Sequence, residues 1–545
     1  MLSRSRWCLI LSLVAANLHS QQSPRAKLES CLLEGRVVNS ITGEPLMKVA
    51  ISLWRTGGAD NERYETVSTA GGRFTIRDVE PGQYRLSANK RGYADGAANG
   101  TTVRARPVLS LDPGQHLNHF EVRMSPQAVI TGRVLDDDGE PLPNVGVFLL
   151  RYSFRHGKQQ LENCEQANTN DLGDYRMYGL SPGRYYLSAM PNDYSGRHQQ
   201  YDSGRGYAPV YYPGATDPSG AKPIDLEAGS LVRGIDIAMV RVRTVHVKGR
   251  VIDPASKQNM QMTGVHLQQR EESRYMFGGN AFASVDAQGN FEIKSVVPGN
   301  YYVVAAKRME GRYSQARLPV DVHENDIENL VLEFGAPGEL KGQVRVEGGA
   351  LEASNQTTVW LEGESGMGAA GRIRPDGSFS VTDVEPTHYR VNVFGFGDRY
   401  YLKSARVGDQ DVLDSGLDFS RGVAGSLEVT LSANGGQVEG VVLNAQDQPE
   451  PGASVVLVPN EPRRSLSRLY RETATDQYGR FTVKGIAPGS YKLFAWEAIE
   501  DGAYENPDFV KKYEALGELR TIQEGSRESA QLQLIPTAGK PAMPN

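Results

Sequence analysis

The chain has 545 residues, with 59 Lys and Arg against 65 Asp and Glu, for a formal net charge of −6. The two signs are interspersed, which excludes the basic stripe that a nucleic-acid partner requires. The length suits roughly three to five domains, and no run beyond the N-terminus approaches the length of a membrane span.

The first segment, residues 1–20, reads as an export signal. Arg4 and Arg6 give a positive start, residues 7–18 are apolar, and small residues follow, with cleavage expected after Ser20. The alternative is an uncleaved anchor. The expected location is therefore periplasm, cell surface or extracellular space. Residues 21–30 are a polar leader. Of the cysteines, Cys31 and Cys164 would remain, and they fall in different units. Separate thiols are expected rather than a disulfide between them.

From residue 31 onward one pattern occurs five times. Gly72-Arg-Phe74 precedes Pro81-Gly82-Gln-Tyr84, and Gly173-Asp-Tyr175 precedes Pro182-Gly183-Arg-Tyr185. Gly289-Asn-Phe291 precedes Pro298-Gly299-Asn-Tyr301, and Gly377-Ser-Phe379 precedes Pro386-Thr387-His-Tyr389. Gly479-Arg-Phe481 precedes Pro488-Gly489-Ser-Tyr491. Constant spacing marks a repeated structural unit. Around each motif, apolar and polar residues alternate with period two, as in Phe74-Thr-Ile76 and Tyr84-Arg-Leu86, so each segment is a strand with one buried face. Pro-Gly between the strands is a turn signal, and a type II turn is expected there. Thr387 breaks that rule, so a different or strained turn is expected in the fourth copy. The repeated tyrosine should bury its ring and direct its hydroxyl to a backbone partner. Asp286, Asn170 and Asp476, three residues before the glycine, suit a turn that their side chains cap.

Upstream of each motif lies apolar-x-Gly-x-Val, with glycines at 35, 132, 249, 342 and 440. A glycine inside a strand marks a bulge or a close approach. Further alternating strands complete each copy. The expected organisation is five β-sandwiches at residues 31–125, 126–243, 244–337, 338–434 and 435–536, with a disordered tail at 537–545. Short linkers suggest an open row of domains. One helix is expected, over 507–516, where Phe509, Val510, Tyr513 and Leu516 recur at helical spacing.

These motifs make the units resemble carboxypeptidase regulatory-like domains, which are transthyretin-like Greek-key sandwiches, in the arrangement of bacterial secreted multi-repeat proteins. The resemblance implies an all-β fold and says little about function, because one sandwich hosts many unrelated tasks. It also implies a carbohydrate-binding-like fold. Pilin-type relatives lock their domains with a Lys–Asn isopeptide bond, but no repeated Lys and Asn pair is present here to form one.

No catalytic constellation emerges from the sequence. His116 and His119 are too isolated for a metal face. Gly363-Glu-Ser365-Gly-Met367 lacks the final glycine of a nucleophile elbow. Asp136-Asp-Asp138-Gly139 lacks the glutamate that would complete a calcium loop, and a charged turn explains it better. No cofactor or metal is expected. The candidate recognition element is the insertion of the second unit, residues 192–223, where Tyr194, Tyr201, Tyr207, Tyr211 and Tyr212 crowd a Gly-, Ser- and Arg-rich stretch. Tyrosines on loops stack on sugars or anchor protein surfaces, or else pack a long loop onto its own domain. The expectation is a non-enzymatic exported binding or spacer protein whose partner is a polysaccharide or another envelope protein. Alternatives are an interaction platform for an outer-membrane transport or secretion complex, or a hydrolase with an unrecognised site.

Overall fold

The computed structural model describes residues 29–56, 63–94, 108–155, 157–191, 204–254, 263–270, 282–309, 312–335, 338–363, 368–419, 425–500 and 502–536. The expected signal peptide, most of the leader, the tail, Tyr194 and Tyr201 lie outside the described residues.

Unit one shows the plan of all five. Its strands are β1 (Cys31–Asn39), β2 (Ala50–Arg55), β3 (Arg63–Val67), β4 (Arg73–Val79), β5 (Gly82–Asn89), β6 (Val108–Leu111) and β7 (His116–Met124). One sheet runs β4-β1-β7 and the other β3-β2-β5-β6. β1 is antiparallel to β4 and parallel to β7. Alternation decides the facing: Phe74, Ile76, Tyr84, Leu86 and Ala88 point inward and are buried, while their neighbours stay wet. Units three and five repeat this order. In unit two, Val210–Tyr211 and Ile224–Leu226 both pair with Gly183–Pro191 where unit one has β6 alone. In unit four, Tyr401–Val407 joins the first sheet beside Leu427–Ser432. Each unit has its own apolar core.

The repeated residues have matched roles. Gly35, Gly132, Gly249, Gly342 and Gly440 stand directly across the ladder from Phe74, Tyr175, Phe291, Phe379 and Phe481. A Cβ on Gly342 would lie 2.1 Å from the Phe379 ring and 2.4 Å from the Leu427 carbonyl oxygen. The glycine is therefore the floor on which the aromatic ring lies, with the parallel strand pressed against its other side. Tyr84, Tyr185, Tyr301 and Tyr491 donate their hydroxyls to the carbonyl of the residue four earlier, at 2.7–3.1 Å. In unit four the direction reverses: Glu385 N–H donates to the Tyr389 hydroxyl at 3.0 Å.

The turn before these tyrosines is not type II. Gly82, Gly183 and Gly489 have φ of 155–158°, far from the value of about +80° that a type II turn demands. The glycine serves the tyrosine instead, because a Cβ on Gly299 would come within 3.0 Å of the Tyr301 ring. Thr387 has no positive φ, so its turn is different but not strained. Its amide donates to the Glu385 carbonyl at 2.9 Å. Four residues after each core aromatic, Asp78, Gly179, Ser295, Asp383 and Gly485 all adopt a left-handed conformation, a bulge repeated in every unit.

The helix α1 (Pro507–Lys511) is shorter than expected, and Glu514–Leu516 is a 3-10 turn. Asn506 caps α1 by accepting from the Phe509 amide at 2.8 Å. The open row of domains needs correction, because the chain doubles back. Unit five meets unit four, where Glu524 accepts from Lys403, Tyr401 and Ser432, each at 3.0 Å. It also meets unit two, where Asn506 Nδ2 donates to the Gly157 carbonyl at 2.8 Å and Phe509 lies 6.4 Å from Phe154. Finally, it meets unit one. Short linkers constrain only consecutive units and leave this return free. No disulfide joins Cys31 and Cys164. The first is buried in unit one with its Sγ 3.1 Å from the Asp112 carbonyl, and the second is exposed on unit two.

Candidate functional site between the first and fifth units

Where unit five returns to unit one, the turn Asp476-Gln-Tyr-Gly-Arg480 makes the contact. Asp476 holds the turn rigid: its Oδ1 accepts from the Tyr478 and Arg480 amides at 2.9 and 2.8 Å, and its Oδ2 accepts from Arg480 Nε at 3.0 Å. Gln477 then spans to the outer strand β6. Its Nε2 donates to the Ser110 carbonyl at 2.6 Å, and its Oε1 accepts from the Ser110 amide at 3.0 Å. Gln115 Nε2 donates to the Tyr478 hydroxyl at 2.7 Å. The Tyr478 ring is 41% exposed, with the Arg480 guanidinium 4.7 Å from its centroid.

Beside this contact opens a cleft of about 560 Å³. One wall is the end of unit one, including Gln83, Ser110 and Asp112. The other is the strand pair of unit five, including Glu439, Asp476, Arg480 and Thr482. The lining supplies carboxylates, a guanidinium, hydroxyls and an amide. Asp476 is committed to its turn and to Arg480, and no nucleophile stands in hydrogen-bond contact with a base in this lining. Such a surface offers hydrogen-bonding groups at fixed positions. From the sequence, the only signal was a local difference: Gln477-Tyr478 fills a turn where the other copies have Ala287-Gln288, Asp171-Leu172, Pro375-Asp376 and Ala70-Gly71.

The tyrosines of the insertion behave differently from one another. Tyr211 is buried on the outer face of unit two among Phe148, Leu150, Leu161 and Met190. A ring in that position is covered by its own domain. Tyr207 and Tyr212 are partly buried against the core of unit two. The Tyr207 hydroxyl accepts from Arg241 Nε at 3.0 Å. The ten repeat aromatics, from Phe74 to Tyr491, are all in the cores.

Asp136, Asp137 and Asp138 bring three carboxylates together. Arg241 already lies among them, with nitrogens 2.9, 3.0 and 3.3 Å from the three carboxylates. A guanidinium thus occupies the place a cation would take, and it pins the ribbon of Arg205–Ala208 and Val240–Arg243. Asp136 Oδ1 also caps its own turn through the Asp138 and Glu140 amides. Among the described residues no helix is long and apolar enough to cross a membrane.

Comparison with known proteins places the first of these units. Residues 33–113 match the carboxypeptidase regulatory-like domain. The same glycine–aromatic pairs recur in the four units that follow, and units three and five keep the same strand order. No curated protein matches the chain. Among solved structures, the chain is similar to the minor pilin GBS52 of Streptococcus agalactiae, at 16% identity over 39% of this chain and 97% of that one, with a TM-score of 0.23. It is also similar to the major pilin subunit BcpA of Bacillus cereus, at 13% identity over 56% and 99%, with a TM-score of 0.14. The Bacillus anthracis TIE protein matches at 10% identity over 75% and 74%, with a TM-score of 0.15.

Proposed function

We propose that this is a non-enzymatic, exported binding protein of the cell envelope, and that the cleft between units one and five takes an extended polar ligand such as a polysaccharide. The single observation that carries this reading is the lining of that cleft. Hydrogen-bonding groups from two domains face one open space, with the exposed Tyr478 ring in the adjoining turn. Sugars are held by such combinations, because an aromatic face covers apolar C–H groups while side chains meet the hydroxyls. The domains themselves serve as rigid spacers that set the two walls apart. Export rests on the positively charged, then apolar N-terminal segment.

A glycan array with the chain from residue 21 onward tests the reading. Binding to one polysaccharide class, weakened by Arg480→Ala and by Tyr478→Ala, is the expected result. A clean negative across envelope and plant polysaccharides would remove the carbohydrate assignment, and chelator-sensitive hydrolysis would overturn the non-enzymatic one.

A further inference from the structure

A second site is built at the junction of units four and five, away from the cleft. Four guanidiniums gather there: Arg390 on the strand His388–Phe394, Arg463 and Arg468 on two 3-10 turns, and Arg471 at the start of the strand Arg471–Ala474. Among the described residues, Asp414 is the one carboxylate ion-paired to any of them. It meets Arg463 Nε at 3.3 Å and contacts Arg468. Arg390 donates to the Ser465 carbonyl. Arg471 donates only to the carbonyls of Arg468, Tyr470 and Gly485, at 2.6, 2.9 and 3.2 Å. Asp398 also lies close enough to Arg471 to attract it, so four guanidiniums face two carboxylates and the junction carries a formal excess of two positive charges.

Two features make this more than a solvated basic face. Arg468 and Arg471 are substantially buried, and burial pushes both guanidiniums below their ordinary range. For Arg468, the neighbouring Arg463 and Arg390 push in the same direction. In addition, the Nε groups of Arg463 and Arg468 are buried and make no hydrogen bond, although Asp414 Oδ2 is ion-paired with Arg463 Nε at 3.3 Å. Buried donors without partners are costly, and charged ones more so. An arrangement of donors and charge like this is completed by an anion with several oxygens, which the planar fork of arginine binds well. Part of the cluster has a structural task, since Arg463 Nη1 caps the Pro488 carbonyl at 3.1 Å. Arg390 and Arg471 cap carbonyls too, but a carbonyl neutralises no charge, so the excess remains.

We propose that the junction of units four and five binds an oxyanion, a phosphate or sulfate group, which ties the two domains together by neutralising Arg390, Arg463 and Arg468. The test uses the full mature chain and inorganic phosphate, with sodium chloride at equal ionic strength as the control. Thermal unfolding and titration calorimetry are the readouts. Phosphate should raise the melting temperature in a saturable way that chloride does not reproduce. Arg463→Gln, at a partly exposed position, should weaken phosphate binding roughly tenfold while the protein remains folded. Arg176→Gln, exposed in unit two, should leave binding unchanged. Equal shifts with phosphate and chloride, or undiminished phosphate binding in Arg463→Gln, would overturn the proposal. Neither outcome bears on the cleft between units one and five, whose glycan test is independent.

Discussion

Gln477 in the fifth domain grips Ser110 in the first by both ends of its side-chain amide, at 2.6 and 3.0 Å. In effect the glutamine acts as a one-residue strand. β6 is the outermost strand of its sheet, and its outward N–H and C=O groups would otherwise face water or another chain. The contact therefore closes the chain of domains and protects a sheet edge together.

The glycine under the core aromatic is the most demanding position in each unit. Gly342→Ala forces the Phe379 ring or the Leu427 backbone to move, since both lie within 2.4 Å of the added methyl. Overpacking of this kind costs about 1–3 kcal/mol. Denaturant unfolding of the variant should show a lower midpoint for unit four, whereas Gly397→Ala, where no atom lies within 4 Å of the added carbon but φ is positive, should cost less. Equal losses would show that the ring does not need the glycine.

Glu385, at the edge where units three and four meet, predicts a pH dependence. Burial raises its carboxyl above the ordinary glutamate range, opposed by a hydrogen bond from Gln315 and by Arg317. A raised folded value means that stability is fully present below the unfolded value of about 4.3 and declines as pH rises through the folded one. Glu385→Gln removes the charge without changing the shape. Calorimetric melting should show the variant gaining on the native protein between pH 4 and neutrality, and level with it at the acid end. A variant less stable at pH 7 would mean that the attraction of Arg317 outweighs burial.

Arg241 predicts how the acidic turn behaves. Arg241→Ala removes the guanidinium that sits among Asp136, Asp137 and Asp138. The ribbon Arg205–Ala208 should then exchange its amide hydrogens faster, and the three carboxylates become available to a divalent cation. Calcium titration should show weak binding in the variant and none in the native chain. Equal binding in both would mean that Arg241 does not occupy the site.

The sandwiches were legible because their determinants are local. The turn-capping Asp286, the core Phe291 and the hydroxyl-donating Tyr301 lie within sixteen residues of one another, and period two fixes which face each takes. Even the strand-interior glycines signalled a close approach, although the sequence did not say that Phe379 was the neighbour of Gly342. The left-handed bulge has no sequence signature, because Asp78, Ser295 and Gly485 share a conformation and no residue type. The closure of the chain leaves no local signal for another reason. Gln477 and Ser110 are 367 residues apart, and neither is unusual in its own segment. Asp136 and Arg241, 105 residues apart, pose the same difficulty. For the insertion, tyrosine content alone could not separate a ring offered to a ligand from one like Tyr211, which is buried against its own sheet.

The return of the fifth domain onto the first is tested most directly by hydrogen exchange at a single amide, that of Ser110. In the full chain this N–H donates to Gln477, so it should exchange slowly, and Gln477→Ala should speed it to the rate of an open sheet edge while Tyr84 and Leu86 in the same sheet stay protected. Fast exchange at Ser110 in the native chain would contradict the closure and with it the cleft.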